Sequence, residues 1–219
     1  MNSNNITLLL DLDGTLTNNT QTMYDCFEIF LLSLRLKASK VEFDKYNGVP
    51  LRIYIKYLKN KHNLHQDHDI LLKNYLSILN THYFSSPIRK DALELLNYAR
   101  SKHFKIGLVT SGFKDMVERM LSQHNIMHYF DIIVCAEHVI NGKPDKEPYA
   151  IAISYLSSNP ARTYVVEDSL NGLISAQANG VKTCYLKPNQ YKLSKLEKIL
   201  SWQQVSCFQD VIEILKKIA

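Results

Sequence analysis

Two aspartates, Asp11 and Asp13, follow the apolar run ITLLL in the segment DLDGTL. A carboxylate at the end of a buried strand is costly unless it is paired, and Mg²⁺, which prefers oxygen ligands, would pair with both. Residues two apart on a strand point to the same face, so Asp11 could act as a nucleophile while Asp13 exchanges a proton with the leaving group. The Asp-Gly pair is also a turn signal, and a turn without chemistry is the alternative.

Polar residues that suit the same chemistry lie at or shortly after the ends of other apolar runs: Thr110 in LVTSG, Lys143 in NGKPDKEP, and Glu167 and Asp168 in VVEDS. Because ligands bind outside the carboxyl ends of the strands in an open parallel sheet, we expect these groups to converge. Asp168 would add a ligand for Mg²⁺, and Lys143 would add a positive charge. The Thr110 hydroxyl and the Ser111 N–H would bind phosphate oxygens, so the assortment suits phosphoryl transfer.

The elements that must position these residues predict a parallel α/β sheet with a helical insertion. The run from Ile6 to Leu10 predicts a buried central strand, and residues 22–84 carry apolar residues at helical spacing. After Pro87, the runs KIGLVT, FDIIVC, TYVVED and KTCYL alternate with helical segments, which is typical of βαβ units. We therefore predict an α/β core formed by residues 1–17 and 86–219 and a helical domain formed by residues 18–85, inserted after the first strand.

The composition is that of an ordinary globular chain, with 219 residues, 46% hydrophobic residues and a net charge of +5. Its basic residues are scattered, so we predict no nucleic-acid partner, and its apolar runs are far shorter than the roughly 18 residues that span a membrane. Four separated cysteines, Cys26, Cys135, Cys184 and Cys207, suit a reducing compartment. We expect a cytoplasmic protein, a monomer or a weak homodimer, with no membrane partner.

Four segments carry a resemblance to a known family. DLDGTL, VTSG, GKPDKEPY and VVEDSLNG, in this order, resemble the four motifs of the haloacid dehalogenase (HAD) superfamily. The resemblance spans nearly the whole chain, and the inserted helices resemble that superfamily's helical cap. It implies a doubly wound, Rossmann-like α/β core.

The resemblance also implies roles for the residues that match the motifs. Asp11 would be the nucleophile and Asp13 the general acid and base, while Thr110 and Lys143 would bind phosphate and orient the nucleophile. Mg²⁺ would be the cofactor, held by Asp11, by the backbone carbonyl of Asp13 and by Asp168.

Glu167 would act on the same metal through a water molecule, again by resemblance. The simpler alternative for this segment is structural. Glu167 and Asp168 precede the predicted helix SLNGLISAQ, and they could cap its first turn.

The branch of the family can be narrowed by three positions. The dehalogenase and phosphonatase branches lack an aspartate where this chain has Asp13, which favours a phosphatase for a small phosphorylated metabolite. The layout also resembles β-phosphoglucomutase and phosphoglycolate phosphatase, so a sugar-phosphate mutase is the alternative. Met23 stands where the mutases carry a histidine, and Asn18 replaces a common aspartate. A non-catalytic binding protein with a HAD-like core is a third possibility, which the intact motif residues disfavour.

Further residues are assigned to substrate binding. Ser111 and Gly112 belong to the VTSG segment, and Arg52 lies in NGVPLR, which resembles the cap loop that contacts substrate in these relatives. Arg52 would contact a distal phosphate or carboxylate, and Lys114 would act similarly. For both residues the alternative is a solvated side chain.

Histidines and tyrosines in the predicted cap raise two further hypotheses. His62, His65 and His68 are three apart and could bind a metal, but their polar context predicts a joint between two cap helices. The cap tyrosines predict a cap core and rim rather than a platform for stacking bases; they are Tyr46, Tyr54, Tyr57, Tyr75 and Tyr83.

Overall fold

A computed structural model describes residues 5–187 and 190–218, so residues 1–4, 188–189 and 219 of the predicted core lie outside the described residues. A six-stranded sheet forms the centre. Its strands are β1 (Thr7–Leu10), β2 (Lys105–Val109), β3 (Ile132–Val134), β4 (Thr163–Glu167), β5 (Lys182–Leu186) and β6 (Gln203–Val205). All neighbours are parallel, in the order β3-β2-β1-β4-β5-β6. The order reverses at β1, and ligands bind at such a reversal.

Ten α-helices accompany the sheet in the described residues. They are α1 (Thr20–Ser33), α2 (Lys40–Tyr46), α3 (Leu51–Lys61), α4 (His68–His82), α5 (Lys90–Ser101), α6 (Lys114–Gln123), α7 (Glu147–Tyr155), α8 (Leu170–Gln177), α9 (Lys195–Leu200) and α10 (Phe208–Lys216). The first five lie between β1 and β2 along the chain, and α1–α4 form the inserted helical segment. The predicted fold class, a doubly wound parallel sheet with helices inserted after the first strand, is therefore confirmed.

Strand β1 shows how the sheet is covered on both faces. Leu8 and Leu10 pack in one cluster with residues of α5 and α10, and Leu9 packs in another with Tyr149 of α7 and Ala176 of α8. All three leucines are fully buried. Because alternate residues of a strand face opposite sides, a strand covered by helices on both faces is apolar on both, as Leu8, Leu9 and Leu10 are, while the Thr7 hydroxyl at the start of the strand is hydrogen-bonded to Ser158.

Helices α1–α4 have a core of their own. Phe30 stacks on Tyr75 with ring centroids 4.9 Å apart, and Phe27 stacks on Tyr54 at 5.7 Å. Each fully buried aromatic ring contributes roughly 1.5–3 kcal/mol. The chain enters and leaves this helical segment side by side, because Thr17 forms an antiparallel bridge with Ile88. Two adjacent connections thus join the segment to the sheet.

The sequence did not indicate β6 and α9. Strand β6 has only three residues, and Gln203 and Gln204 are exposed at the edge of the sheet. An edge strand so short carries no apolar run, so its pattern is that of a loop. Helix α9 has six residues, too few for a helical period to stand out.

Candidate active site

The turn after β1 places Asp11 and Asp13. The backbone N–H of Asp11 donates to Val166 O at 3.2 Å, so the hydrogen bonding between β1 and β4 continues as far as this residue. Gly14 follows with φ of +82°, and a Cβ there would lie 2.2 Å from Asp168 Oδ2. Only glycine therefore allows the turn to pack against the Asp168 carboxylate.

Lys143 is buried against Asp11. Its Nζ donates to Asp11 Oδ1 at 2.7 Å, to Glu167 Oε1 at 2.5 Å and to Val109 O at 2.9 Å. Burial alone would lower the pKa of Lys143, but the charges of Asp11 and Glu167 raise it above its ordinary value. The lysine is therefore a fixed positive charge, 1% exposed, at the end of β1.

Burial raises the pKa of the carboxylates, whereas by itself it would lower the pKa of Lys143. Desolvation raises the pKa of Asp11 well above its ordinary value, and the Lys143 charge offsets part of that rise. Desolvation also raises the pKa of Asp168 to about 6, with the Glu167 charge adding to the effect. Both carboxylates are desolvated, so their ionised forms need a nearby positive charge to stabilise them.

Glu167 has donors on both carboxylate oxygens. Lys143 Nζ and the Tyr149 hydroxyl, the latter at 2.7 Å, donate to Oε1. The Asp168 N–H, the Ser169 N–H and the Ser169 hydroxyl donate to Oε2 at 3.1–3.3 Å. A carboxylate with so many donors is stabilised within the protein, and its clearest contact is with Lys143.

Ser169, rather than Glu167 or Asp168, caps α8. Its side-chain oxygen accepts a hydrogen bond from Gly172 N at 3.0 Å. The alternative that Asp168 serves only to cap α8 is therefore not supported, because Ser169 provides the cap. Asp168 is instead buried beside the turn after β1, where Thr15 Oγ1 donates to its Oδ1 at 3.3 Å.

Among the described residues, Asp11, Glu167 and Asp168 form a group that could hold a metal ion, with one oxygen of each within 4.8 Å of the others. Buried carboxylate oxygens are the donors that Mg²⁺ prefers, and a divalent cation would offset the desolvation of Asp11 and Asp168. The residues thus fit the metal. Because the oxygens of Glu167 already accept several hydrogen bonds, Asp11 and Asp168 are the better candidates for direct ligands.

Asp13 is held by two residues to which the sequence assigned no role at this site, although Tyr83 was predicted to belong to the core or rim of the helical segment. Asn19 Nδ2 donates to Asp13 Oδ1 at 2.6 Å, and the Tyr83 hydroxyl also hydrogen-bonds this carboxylate. Burial raises the pKa of Asp13, and these hydrogen bonds oppose the rise. A polar residue six positions after Asp13 was a weak local signal for Asn19, whereas Tyr83, seventy positions away, had none.

The segment after β2 lines the same cavity. Thr110 Oγ1 accepts a hydrogen bond from Gly112 N at 3.0 Å, and Ser111 Oγ donates to Gly48 O at 2.6 Å. Thr110, Ser111 and Gly112 line the cavity together with Asp11 and Asp13. The structure therefore brings the VTSG segment to the aspartates, as the sequence predicted for a parallel sheet.

Arg52 and Lys114 lie outside this cavity. The Arg52 guanidinium packs over the Phe113 ring at 5.8 Å, 3.9 Å from Asp69, with 64% of its side chain exposed. The Lys114 ammonium lies 3.8 Å from Glu118, and its side chain is half exposed. The structure does not bring either cation to the aspartates.

The three histidines, His62, His65 and His68, lie at or beside the joint between α3 and α4. Helix α3 ends at Lys61 and α4 begins at His68, so the helical spacing that suggested a metal site is absent. His62 contacts Glu42, and His68 contacts Arg52 O and Asp69. In the described part of the chain, none of the three belongs to a group suited to a metal.

The cavity at the end of β1 has a volume of about 100 Å³. Its floor is formed by Asp11, Asp13, Asp168 and the VTSG segment. Most of its wall comes from α1–α4 and α6, and the remainder comes from the loop of residues 47–49, Tyr83, Phe113 and Ser169. Of the five tyrosines named above, Tyr46, Tyr54 and Tyr75 belong both to the core of α1–α4 and to this wall, Tyr57 packs on that core, and Tyr83 lines the wall.

Comparisons with known proteins bear on this arrangement. A family model described as haloacid dehalogenase-like hydrolase matches residues 8–186. A Clostridium perfringens protein provisionally named pyrophosphatase PpaX is 32% identical over 86% of this chain and 87% of its own length. A phosphorylated carbohydrates phosphatase of Thermotoga maritima is 25% identical over 81% of this chain and 83% of its own.

Solved structures share the fold. A hydrolase from Pseudomonas syringae has a TM-score of 0.84 at 19% identity and covers 98% of this chain and 99% of that chain. A β-phosphoglucomutase from Clostridium difficile has a TM-score of 0.81 at 16% identity and covers 98% and 96%.

The sheet is parallel, and buried carboxylates and a lysine lie where its strand order reverses, next to the inserted helices. These features define the class as an α/β enzyme with a carboxylate site. The chain belongs to the haloacid dehalogenase-like hydrolase family. No helix in residues 5–187 and 190–218 is long and apolar enough to span a membrane.

Proposed function

We propose that the protein is a Mg²⁺-dependent phosphatase that hydrolyses a small phosphomonoester through an aspartyl-phosphate on Asp11. One observation carries the proposal: Asp11 and Asp13 line a single cavity, and Lys143 is buried 2.7 Å from Asp11 Oδ1. This grouping supplies a nucleophile, an acid and base, and a fixed positive charge.

The reaction proceeds in two displacements. The Asp11 carboxylate attacks phosphorus, the bond from phosphorus to the ester oxygen breaks, and Asp13 gives a proton to the departing alcohol. Water then attacks phosphorus while Asp13 removes its proton. The bond between phosphorus and the Asp11 oxygen breaks, which releases phosphate and restores the Asp11 carboxylate. Mg²⁺, when bound by Asp11 and Asp168, would neutralise charge on the transferring phosphoryl group.

Other residues position the groups that react. Lys143 holds one oxygen of Asp11, and Glu167 holds Lys143. We assign phosphate binding to the Thr110 hydroxyl and to the backbone N–H groups of Ser111 and Gly112.

We further propose that residues 18–85 act as a cap over a core of residues 1–17 and 86–219. The loop before α3 contacts the core at two points: Gly48 O accepts from Ser111 Oγ at 2.6 Å, and Asn47 O accepts from Asn171 Nδ2 at 2.7 Å. A cap in this position would exclude water during the first displacement.

Two other substrates are candidates within the same chemistry. The relatives named pyrophosphatase favour pyrophosphate. The fold shared with β-phosphoglucomutase favours a sugar phosphate and a mutase reaction, but Met23, an apolar side chain on the cavity wall, occupies the position of the mutase histidine.

We place the protein in the cytoplasm as a monomer or a weak homodimer. All four cysteines are free, and three of them are buried. Free thiols suit a reducing compartment.

The function is tested by phosphate release from a panel of phosphorylated metabolites with Mg²⁺. We expect release by the wild type, abolished by EDTA and reduced at least about 10³-fold in Asp11→Asn. Asp25→Asn, an exposed residue of α1, is the matched control and should retain activity. Release that survives in Asp11→Asn would reject Asp11 as the nucleophile, and no release from any member would reject the phosphatase.

A further inference from the structure

The cavity above Asp11 is lined by charges of one sign. Among the described residues, its charged side chains are those of Asp11, Asp13 and Asp168, and no lysine, arginine or histidine lines it. Lys143 is 1% exposed and directs its ammonium group to Asp11, Glu167 and a backbone carbonyl. Its charge therefore serves the carboxylates and the phosphoryl group that they bind, and the rest of the cavity has no cation.

Most of the remaining wall is apolar and aromatic, and its polar groups are uncharged: Asn47, Ser169 and the tyrosine hydroxyls, of which that of Tyr54 is buried without a hydrogen-bond partner. The apolar and aromatic part is supplied by α1–α4 and α6 through side chains that include Met23, Leu51, Tyr54, Tyr75, Leu79 and Met116. The hydroxyl of Tyr83, on the same wall, is engaged by Asp13. Such a wall binds carbon surfaces well, and its two methionines can adapt to their shape.

The nearby cations of the helical segment and α6 are directed elsewhere. The Arg52 guanidinium packs over the Phe113 ring at 5.8 Å and lies 3.9 Å from Asp69. Arg119 packs over the Phe84 ring at 3.9 Å. Lys114 pairs with Glu118. Each of these side chains has a partner of its own and none of the three lines the cavity, so none is poised to receive a second anionic group of the substrate.

We propose that the leaving group of the substrate is small, uncharged and largely apolar. This inference rests on the phosphatase function proposed above. The phosphoryl group would meet Lys143 and the metal site, whereas a carboxylate or a second phosphate would be buried in an apolar wall without a partner, which is strongly unfavourable. The cavity of about 100 Å³ is well below the 300–1,000 Å³ of pockets for drug-sized ligands, which favours a small group.

An uncharged leaving group would distinguish the substrate of this chain from that of the relatives named pyrophosphatase. The leaving group of pyrophosphate is itself an anion, so the wall disfavours it. A neutral alcohol or phenol instead places carbon against Leu51 and Met116, and its oxygen receives the proton from Asp13.

The test compares two esters that differ by one charge. Phenyl phosphate and 3-carboxyphenyl phosphate leave through the same kind of oxygen, and only the second carries a carboxylate on the ring. With Mg²⁺ present, we expect kcat/KM for phenyl phosphate to be about 100-fold higher, the cost of burying an unpaired charge. Pyrophosphate should be at least as poor a substrate as the carboxylated ester.

A variant pair tests the cause. Leu51→Arg places a cation on the cavity wall and should reduce the preference for phenyl phosphate at least about 10-fold. Ile53→Arg adds the same charge to an exposed position of α3 and should leave the preference unchanged. The comparison on the wild type stands by itself if Leu51→Arg does not fold.

The outcomes distinguish this inference from the proposed function. Equal kcat/KM for the two aryl esters, or a preference for the carboxylated ester or pyrophosphate, would overturn the inference while the phosphatase stands. No phosphate release from any substrate would reject the phosphatase, and this inference with it.

Discussion

Asn19 joins Asp13 to the turn that carries it. Its Nδ2 donates to Asp13 Oδ1 at 2.6 Å, and its Oδ1 accepts from Gly14 N at 2.8 Å. Asn19 is fully buried at the start of α1. One side chain therefore fixes both the carboxylate proposed as acid and base and the glycine turn after it, at the point where the chain leaves the sheet for the helical segment.

Asn19→Ala should lower kcat while leaving KM nearly unchanged. The variant removes the hydrogen bond that orients Asp13, and misplacing a catalytic group by about 1 Å can cost on the order of 10²-fold in rate. Steady-state kinetics on the best substrate would measure the split. Asn18→Ala, at the exposed neighbouring position, is the control. An unchanged kcat in Asn19→Ala would show that Asp13 needs no such support.

Lys143→Met should destabilise the fold as well as abolish activity. The variant leaves Asp11 and Glu167 buried without their cation, and breaking a buried ion pair typically costs about 3–5 kcal/mol. Urea unfolding near neutral pH measures the loss. Lys114→Met is the control, because an exposed pair such as Lys114–Glu118 contributes about 0–1 kcal/mol.

The Lys114 control also tests the role that the sequence assigned to this residue. Normal activity in Lys114→Met would agree with its position outside the cavity. Wild-type stability in Lys143→Met would contradict the view that the buried carboxylates depend on this lysine.

Gly172→Ala should be destabilising, although glycine to alanine within a helix ordinarily stabilises by about 0.8–1 kcal/mol. A Cβ at position 172 would lie 2.0 Å from the Glu167 carboxyl carbon, inside a network that cannot move freely. Forcing extra atoms into a packed site costs about 1–3 kcal/mol. Thermal unfolding gives the sign, with Gln177→Ala on the exposed face of α8 as control. A stabilised Gly172→Ala would mean that Glu167 has room to shift.

The sheet and the floor of the site were accessible from the sequence because both follow from local patterns. ITLLL before Asp11 and TYVV before Glu167 are buried strands whose ends must meet at one edge of a parallel sheet. The helical character of residues 22–84 was likewise visible in its apolar spacing. These features depend on runs of residues adjacent in the chain.

The contacts that complete the site depend on tertiary packing. Tyr83 reaches Asp13 only because the chain after α4 returns beside the segment that follows β1, where Thr17 pairs with Ile88. No sequence pattern near Tyr83 indicates that contact. Arg52 was assigned to the substrate from its place in NGVPLR, yet its direction is set by Phe113 and Asp69. Side-chain direction on a helix surface is decided by neighbours that are remote in sequence.

Glu197 should make the stability of the fold depend on pH. Its Oε1 accepts from the Tyr185 and Tyr191 hydroxyls at 3.0 and 2.9 Å, and its Oε2 accepts from Ser194 N at 2.7 Å. Burial by itself would raise the pKa of Glu197, but the hydrogen bonds from Ser194 and the tyrosines lower it below its ordinary value of 4.5. The carboxylate is thus better stabilised in the folded state than in the unfolded chain.

A carboxyl whose pKa is lowered on folding stabilises the fold when it is ionised, and that stabilisation is lost as the pH falls through the folded-state pKa. Glu197→Gln should therefore lower the free energy of unfolding by about 1–2 kcal/mol near pH 7. The difference from wild type should shrink as the pH falls below 4.5. Urea titrations across this range measure it, with Glu213→Gln, an exposed position on α10 whose ion pair with Lys216 is solvated, expected to stay close to wild type. A wild-type advantage that persists undiminished into acid would show that the contribution of Glu197 comes from packing rather than from its charge.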